Sequence, residues 1–340
     1  MKRRRNILIA AALVCCGAVL ALATAAAQAD GEIEPFPQFL DGLRAEALSR
    51  GISQQTVQLA LADVELIPRV IERDRSQPEF TQTLPEYLEK RVTEDLVAEG
   101  RELLWENREL LARVQAQYGV QPRFLVALWG IETKYGRHTG GYEVIPALVT
   151  LAYDNRRRDR FREELFDALR IVDNGDIALT DMTGSWAGAM GQTQFMPSIF
   201  VKHAIDFDGD GKKDIWNSKP DVFASAANYL SQSGWNGGQT WGRQASLPQG
   251  FDVSLADPFD RQHVHEDFLK SLDEWQRLGV RDADGHALPS RDLRALLILP
   301  DGPDGAAYLV YDNFRVLMTW NPAFLFAVTV GTLADRLGDG

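Results

Sequence analysis

Cysteine is almost absent from this 340-residue chain: Cys15 and Cys16 stand side by side near the N-terminus and no other occurs. The rest of the chain has no disulfide to form and must fold by packing alone. Basic residues are outnumbered, 36 Lys and Arg against 48 Asp and Glu, for a formal net charge of -12. That balance excludes a nucleic-acid partner, which requires clustered Lys and Arg. After the first 29 residues no apolar run is long enough to span a bilayer, and no internal repeat is present. What remains is an ordinary globular composition, 45% hydrophobic and 25% charged, with ample length for a sizeable core.

The N-terminus differs in kind. "MKRRRN" is basic, "ILIAAALVCCGAVLALATAAA" is apolar throughout, and "AQAD" offers a small-x-small cleavage site after Ala29, so residues 1–29 read as an export signal. The apolar run exceeds most signal cores, which makes an uncleaved membrane anchor the second reading. Cys16 follows Leu13 at lipobox spacing, but Cys15 occupies a position that wants a small residue, which argues against lipid attachment. Cleavage would leave 32 basic residues against 48 acidic ones and a net charge of -16. The body, residues 30–340, is expected to work in the periplasm, touching a membrane only through an uncleaved N-terminus.

From Phe36 to about Gln117 the pattern is helical, and apolar residues at three-to-four spacing predict that "YLEKRVTEDLVAEGRELLWENRELLARVQAQYG", from Tyr87, runs as one long helix to the break at Gly119 to Pro122. "PRFLVALWGIETKYG" predicts a buried helix with Pro122 in its first turn. "ALVTLAYDNRRRDRFREELFDALRIVDNG" predicts one or two helices closed by Asn174 and Gly175. "GSWAGAMGQTQFMP" is too rich in Gly and small residues for a regular amphipathic helix and reads as a close-packed loop. "DVFASAANYLSQSGW" and "FLKSLDEWQRLGV" read as helices, "RALLILPDGPDGAAYLVYDN" as a hairpin, and "PAFLFAVTVGTLADRL" as a final apolar helix. The expected architecture is α+β, mainly helical, with a smaller mixed region over about residues 236–313.

Glu132 is the one carboxylate at the end of the apolar run "ALWGIETKYG". An arbitrary Glu there is exposed, or paired with Lys134 or Arg137. Its neighbours Trp129, Ile131 and Tyr135 would instead supply an apolar surround, which disfavours the charged form and raises a carboxyl pKa. A Gly-rich loop follows, placing the acid at the rim of a groove. A general acid for glycosidic cleavage is made in this way.

"ALWGIETKYGRHTGG", "ALVTLAYDNRRRDRF", "GSWAGAMGQTQFMPSIF", "DFDGDGKKDIWNSKPDVFASAANYL" and "YDNFRVLMTWNP" together resemble the lytic murein transglycosylase B family of peptidoglycan-cleaving enzymes. The resemblance runs in order from roughly Phe36 to Leu337. It implies a lysozyme-like helical catalytic body, peptidoglycan glycan strands as substrate, no organic cofactor, and cell-wall synthesis or remodelling proteins as partners. It implies that Glu132 protonates the β-1,4 bond between N-acetylmuramic acid and N-acetylglucosamine, then takes the proton of the muramoyl 6-hydroxyl, leaving a 1,6-anhydromuramoyl end. It places Ser185 and Gln194 at sugar-binding positions, with Phe195, Met196 and Pro197 lining the groove. Tyr229 matches a groove position that could orient Glu132 or an acetamido group. Phe161 stands where the family often has Tyr, and Trp320 and Asn321 where it has a Tyr-Asn pair. For each of these aromatics a plain core role is an equal reading.

"DFDGDGKKDIW" carries a second constellation. Asp206, Asp208 and Asp210 occupy positions one, three and five of a calcium loop, Gly211 the sharp turn, Lys212 the backbone-carbonyl position and Asp214 position nine. Asn217 stands where the bidentate Glu of an EF-hand would be, and the resembled family's later carboxylate points to Asp221. An acidic surface turn is the bland alternative, but carboxylates this close repel unless neutralised, so an EF-hand-like structural calcium site is expected. "RRRDR", Arg156 to Arg160, reads as a solvated helix face that could hold the lactyl or peptide carboxylates of the glycan.

Overall fold

The computed structural model describes residues 34–76, 82–258 and 265–338; the expected export segment lies outside them. The first helices are α1 (Phe36–Ser49), α2 (Gln54–Ala60), α3 (Pro68–Arg75), α4 (Leu84–Arg91), α5 (Glu94–Glu106), α6 (Arg108–Tyr118) and α7 (Pro122–Thr133). Next come β1 (Tyr142–Glu143), α8 (Val144–Tyr153), α9 (Arg158–Asp173), β2 (Thr183–Gly184), α10 (Pro197–His203) and α11 (Lys219–Gln232). The remainder comprises β3 (Gly242–Ser246), β4 (Lys270–Ser271), α12 (Leu272–Arg277), β5 (Arg281–Asp282), β6 (Arg294–Ile298), β7 (Ala307–Val310), α13 (Asp312–Trp320) and α14 (Phe324–Gly338). The fold is predominantly α-helical with one five-stranded antiparallel sheet. No single helix among the described residues is long and apolar enough to cross a membrane.

The long helix expected from Tyr87 to the Gly119 break is broken into α4, α5 and α6. Thr93 caps α5 by accepting the Leu96 N–H at 3.3 Å, and Asn107 donates its amide to the Leu103 carbonyl at 2.7 Å. Such short polar side chains compete with the helical backbone ladder, so the apolar periodicity continues while the axis turns. The turns let α5 and α6 pack against α7 while α4 packs against α14. Helix α7 is buried on all sides from Phe124 to Ile131, as befits a central core helix. Helices α8 and α9 are separate, parted where Asn155 takes φ 66°.

The sheet runs β4-β6-β7-β3-β5, and Leu297 stands opposite Leu309 in the predicted hairpin. Apart from Arg294, strands β6 and β7 are apolar because both faces are covered. Leu296, Ile298, Tyr308 and Val310 join the main core, while Ala295, Leu297, Ala307 and Leu309 join a second cluster with Trp275 and Leu272, following the two-residue alternation of a strand. The helix expected over "FLKSLDEWQRLGV" shrinks to α12, because Lys270 and Ser271 pair with β6 before the Ser271–Glu274 capping box starts the helix. Trp241, at the entry to β3, ties the sheet to the helices. Its ring lies against Gly331 of α14, where a Cβ would overlap the indole, and its Nε1–H donates to Asp335 Oδ2 at 2.8 Å.

Candidate active site

The end of α7 explains where Glu132 sits. Lys134, Tyr135 and Gly136 follow at φ 49°, 60° and 85°, and the two non-glycine residues occupy a region that costs free energy unless the surroundings hold it. Tyr135 is the fastening. Its hydroxyl donates to the Leu96 carbonyl at 2.8 Å and its ring meets Trp129 edge-on at 5.3 Å. Gly130 leaves room for that ring, where any Cβ would collide with it. Glu132 therefore occupies the last ordinary turn, just before the chain swings away.

Its half-buried side chain lies in a small recess lined by Leu128, Trp129, Thr193, Phe223, Ala226 and Trp320 among others, and no second carboxylate belongs to that lining. Burial pushes the Glu132 carboxyl up to about 7, against the opposing effects of a hydrogen bond from Trp320 and the charge of Arg91. The Trp320 Nε1–H donates to Glu132 Oε1 at 2.7 Å. Neither expected cation takes the carboxylate, and Arg137 pairs with Glu99.

A raised carboxyl pKa has a defined sign in stability. Between the ordinary value of 4.5 and about 7, the folded protein keeps a proton that the unfolded chain has lost, so this group makes stability fall as pH rises through that window. Glu132→Gln should remove that contribution. In urea melts, the variant's stability relative to wild type should improve by about 2 kcal/mol between pH 4.5 and pH 8; an unchanged difference would mean that the carboxyl ionises normally.

Gln192 is the site residue that the sequence reading missed. It accepts from Trp129 Nε1 at 2.7 Å and donates to the Trp216 carbonyl at 2.7 Å, and its own carbonyl accepts from Thr133 Oγ1 at 3.1 Å. It is a strut between α7 and the segment before α11. Gln194, singled out in its place, turns back at φ 52° and donates its amide to the carbonyls of Thr139 and Gly191. Ser185 is half-buried and its hydroxyl accepts from the N–H groups of Ala187 and Ala189.

Tyr229 departs from expectation. Its hydroxyl donates to the Thr319 carbonyl at 2.7 Å, so its contact with Glu132 runs through Trp320, whose ring it meets edge-on at 5.2 Å. Phe195 packs on Trp320 from the loop, also at 5.2 Å. Asn321 is half-buried, with Oδ1 accepting the Ala323 N–H at 3.0 Å. Phe161 is only 2% exposed and sits under Arg157 and Arg160. A ring so buried has no face to offer a sugar, and it belongs to the core.

Three of the four arginines of the "RRRDR" segment are tied down in ion pairs, while Arg160 stays exposed. Arg156 and Arg157 both bind Asp74, which is buried, and Arg158 binds Glu34. In the acidic loop, carboxylate oxygens of Asp206, Asp208 and Asp210 come within 4.8 Å of one another. Asp221 is not one of the three. It is fully buried and accepts the N–H groups of Phe207 and Asp214, both at 2.8 Å, tying the loop to α11. Asp214 accepts from the N–H groups of Trp216 and Asn217.

Membrane-bound lytic murein transglycosylase B of Escherichia coli (strain K12) is 31% identical over 234 residues, which cover 64% of this chain and 64% of that protein. The match thus spans less than two thirds of that relative's length. Crystal structures of SltB3 from Pseudomonas aeruginosa, in complex with NAG-anhNAM-pentapeptide and with NAG-NAM-pentapeptide, superpose with a TM-score of 0.85 at 45% identity, covering 90% of this chain and 80% of that one. The Escherichia coli lytic transglycosylase Slt35 in complex with calcium superposes with a TM-score of 0.70 at 27% identity, covering 89% and 92%. The sequence profile described as the transglycosylase SLT domain matches residues 35–335. With α7, its terminal Glu and the apolar recess all inside that stretch, this chain belongs to the transglycosylase SLT domain family.

Proposed function

We propose that this protein is an exported lytic transglycosylase that cleaves the β-1,4 bond between N-acetylmuramic acid and N-acetylglucosamine in peptidoglycan. The observation that carries the reading is a lone carboxyl, Glu132, its pKa raised by burial to about 7, in a recess with no second carboxylate in its lining. Hydrolases of the retaining and inverting kinds need that second group. Here Glu132 gives its proton to the bridging oxygen as the bond from the muramoyl C1 breaks. The carboxylate then takes the proton of the muramoyl 6-hydroxyl as that oxygen bonds to C1, which restores the acid and consumes no water. The muropeptides bound by SltB3 and the name of the E. coli relative support the substrate class.

In this reading Ser185, Gln194, Trp320 and Asn321 face the sugars, with Tyr229 behind Trp320. Residues 1–29 are the export signal and residues 30–340 the catalytic region. A smaller mixed unit over about residues 236–313 is supported by the second apolar cluster. Mass analysis of digested sacculi tests the activity. Anhydro ends support it, reducing ends would indicate a hydrolytic muramidase, and no released product would indicate a binding scaffold.

Residues 206–214 would hold calcium in an EF-hand-like manner, supported by the convergence of three hard oxygen donors and by the calcium complex of Slt35. Asp206, Asp208 and Asp210 would ligate, with the Lys212 carbonyl, while Asp221 anchors the loop to α11. The ion's role is structural. A ligand that binds only the folded state stabilises it by about 2.7 kcal/mol at one hundred times its Kd, so calcium should raise the thermal midpoint above that in chelator. Asp208→Ala should abolish the difference, and equal midpoints for the wild type would overturn the assignment.

A further inference from the structure

We propose that the Trp320 indole selects which oxygen of Glu132 carries the catalytic proton, keeping it on Oε2. The inference rests on the function proposed above but concerns a step that the family resemblance does not specify. An indole N–H is a donor with no acceptor capacity. The oxygen 2.7 Å from it, Oε1, therefore accepts, and because the C=O oxygen of a neutral carboxyl is a better acceptor than its O–H oxygen, the bond favours C=O at Oε1 and the single O–H at Oε2. A tyrosine, which the resembled family often carries at this position, donates or accepts and would not discriminate between the two oxygens.

The indole is held for this task. Phe195 and Tyr229 pack against it, each with ring centroids at 5.2 Å, the latter edge-on at 82°. Tyr229 also fixes the backbone one residue earlier through its bond to the Thr319 carbonyl, and is itself met edge-on by His203 at 4.9 Å. Around Glu132, α11 presents Val222, Phe223 and Ala226, and the loop presents the neutral Gln192 and Thr193. The charged groups are Arg91 of α4, whose field reaches the carboxyl, Lys134 after α7, and Lys219 of α11, which lies 5.8 Å from the Trp129 ring centroid. None of them duplicates the directed donor.

The consequence for the reaction is that one oxygen performs both transfers. Oε2 gives its proton to the bridging oxygen, the resulting carboxylate keeps its bond from Trp320 at Oε1, and Oε2 receives the proton of the 6-hydroxyl. The carboxyl need not rotate between the half-reactions.

The test uses Trp320→Phe and Trp320→Tyr with peptidoglycan as substrate. Losing a hydrogen bond that favours the carboxylate should move the alkaline limb of kcat/KM upward by about one pH unit in the Phe variant. kcat should fall more than KM rises, and the Tyr variant should recover part of the loss. If Trp320→Phe raises KM alone and leaves the limb in place, Trp320 only stacks on a sugar and the proposal fails. Infrared difference spectra of wild type against Glu132→Gln give a readout free of folding and activity. The carboxylic C=O stretch should sit at a hydrogen-bonded frequency and shift upward in Trp320→Phe, and a free C=O stretch in the wild type would overturn the assignment. Wild-type protein that releases no anhydro product would instead defeat the functional reading, whatever the spectra show.

Discussion

Glu132→Gln should reduce anhydromuropeptide release from sacculi by about 10²- to 10⁴-fold, the usual contribution of a positioned acid/base. The amide matches the carboxyl in shape, and its oxygen can still accept the Trp320 N–H. The recess, the groove and substrate binding should therefore persist, and the loss should fall on kcat. The change removes only the exchangeable proton and the carboxylate that must recover it. Because the acid must start protonated and its pKa lies at about 7, wild-type kcat/KM should decline on the alkaline side from near that pH, and residual activity of the variant should lack this limb. Mass analysis of the soluble products across pH measures both. A variant that retains anhydro products at wild-type rates would show that another group supplies the proton.

The second large effect is on stability. Trp241→Ala should cost about 3–5 kcal/mol, the range for truncating a buried Phe or Trp. The indole is 2% exposed and lies beside Tyr308 of the sheet, Phe314 of α13 and Gly331 of α14. Its loss opens a cavity at the junction of sheet and helices, and also removes the N–H that Asp335 accepts. Gly331→Ala attacks the same junction from the other side by overpacking, at about 1–3 kcal/mol. The two changes should couple, because the added methyl partly fills the space vacated by the ring. A double variant that is less destabilised than the sum of the singles in denaturant melts identifies the contact. Simple additivity would mean that the two residues do not share it.

Much of the central architecture is legible in the sequence because it depends on local signals. The unbroken apolar run after Pro122 announces a core helix, and one carboxylate at its end stands out against that background. The alternation in β6 and β7 is hidden only because both faces are apolar. Other features depend on geometry that no local pattern carries. The break between α4 and α5 turns on one threonine within a continuous periodicity. The bond between Trp320 and Glu132 joins residues 188 apart in the chain. Gln192 and Gln194 are two residues apart in "GQTQF", and the left-handed turn at Gln194 decides which of them reaches α7. Phe161 marks where position matching overreaches, since a matched position can hold a buried ring.

The two-sided hairpin of β6 and β7 makes this protein intolerant of frameshifts within a strand. A single residue inserted between positions 294 and 296 would turn Leu296 and Ile298 away from the helices and send Leu297 towards them. One slip would thus unmake two apolar interiors together, whereas a residue added in the 299–306 connection would leave both strand registers intact.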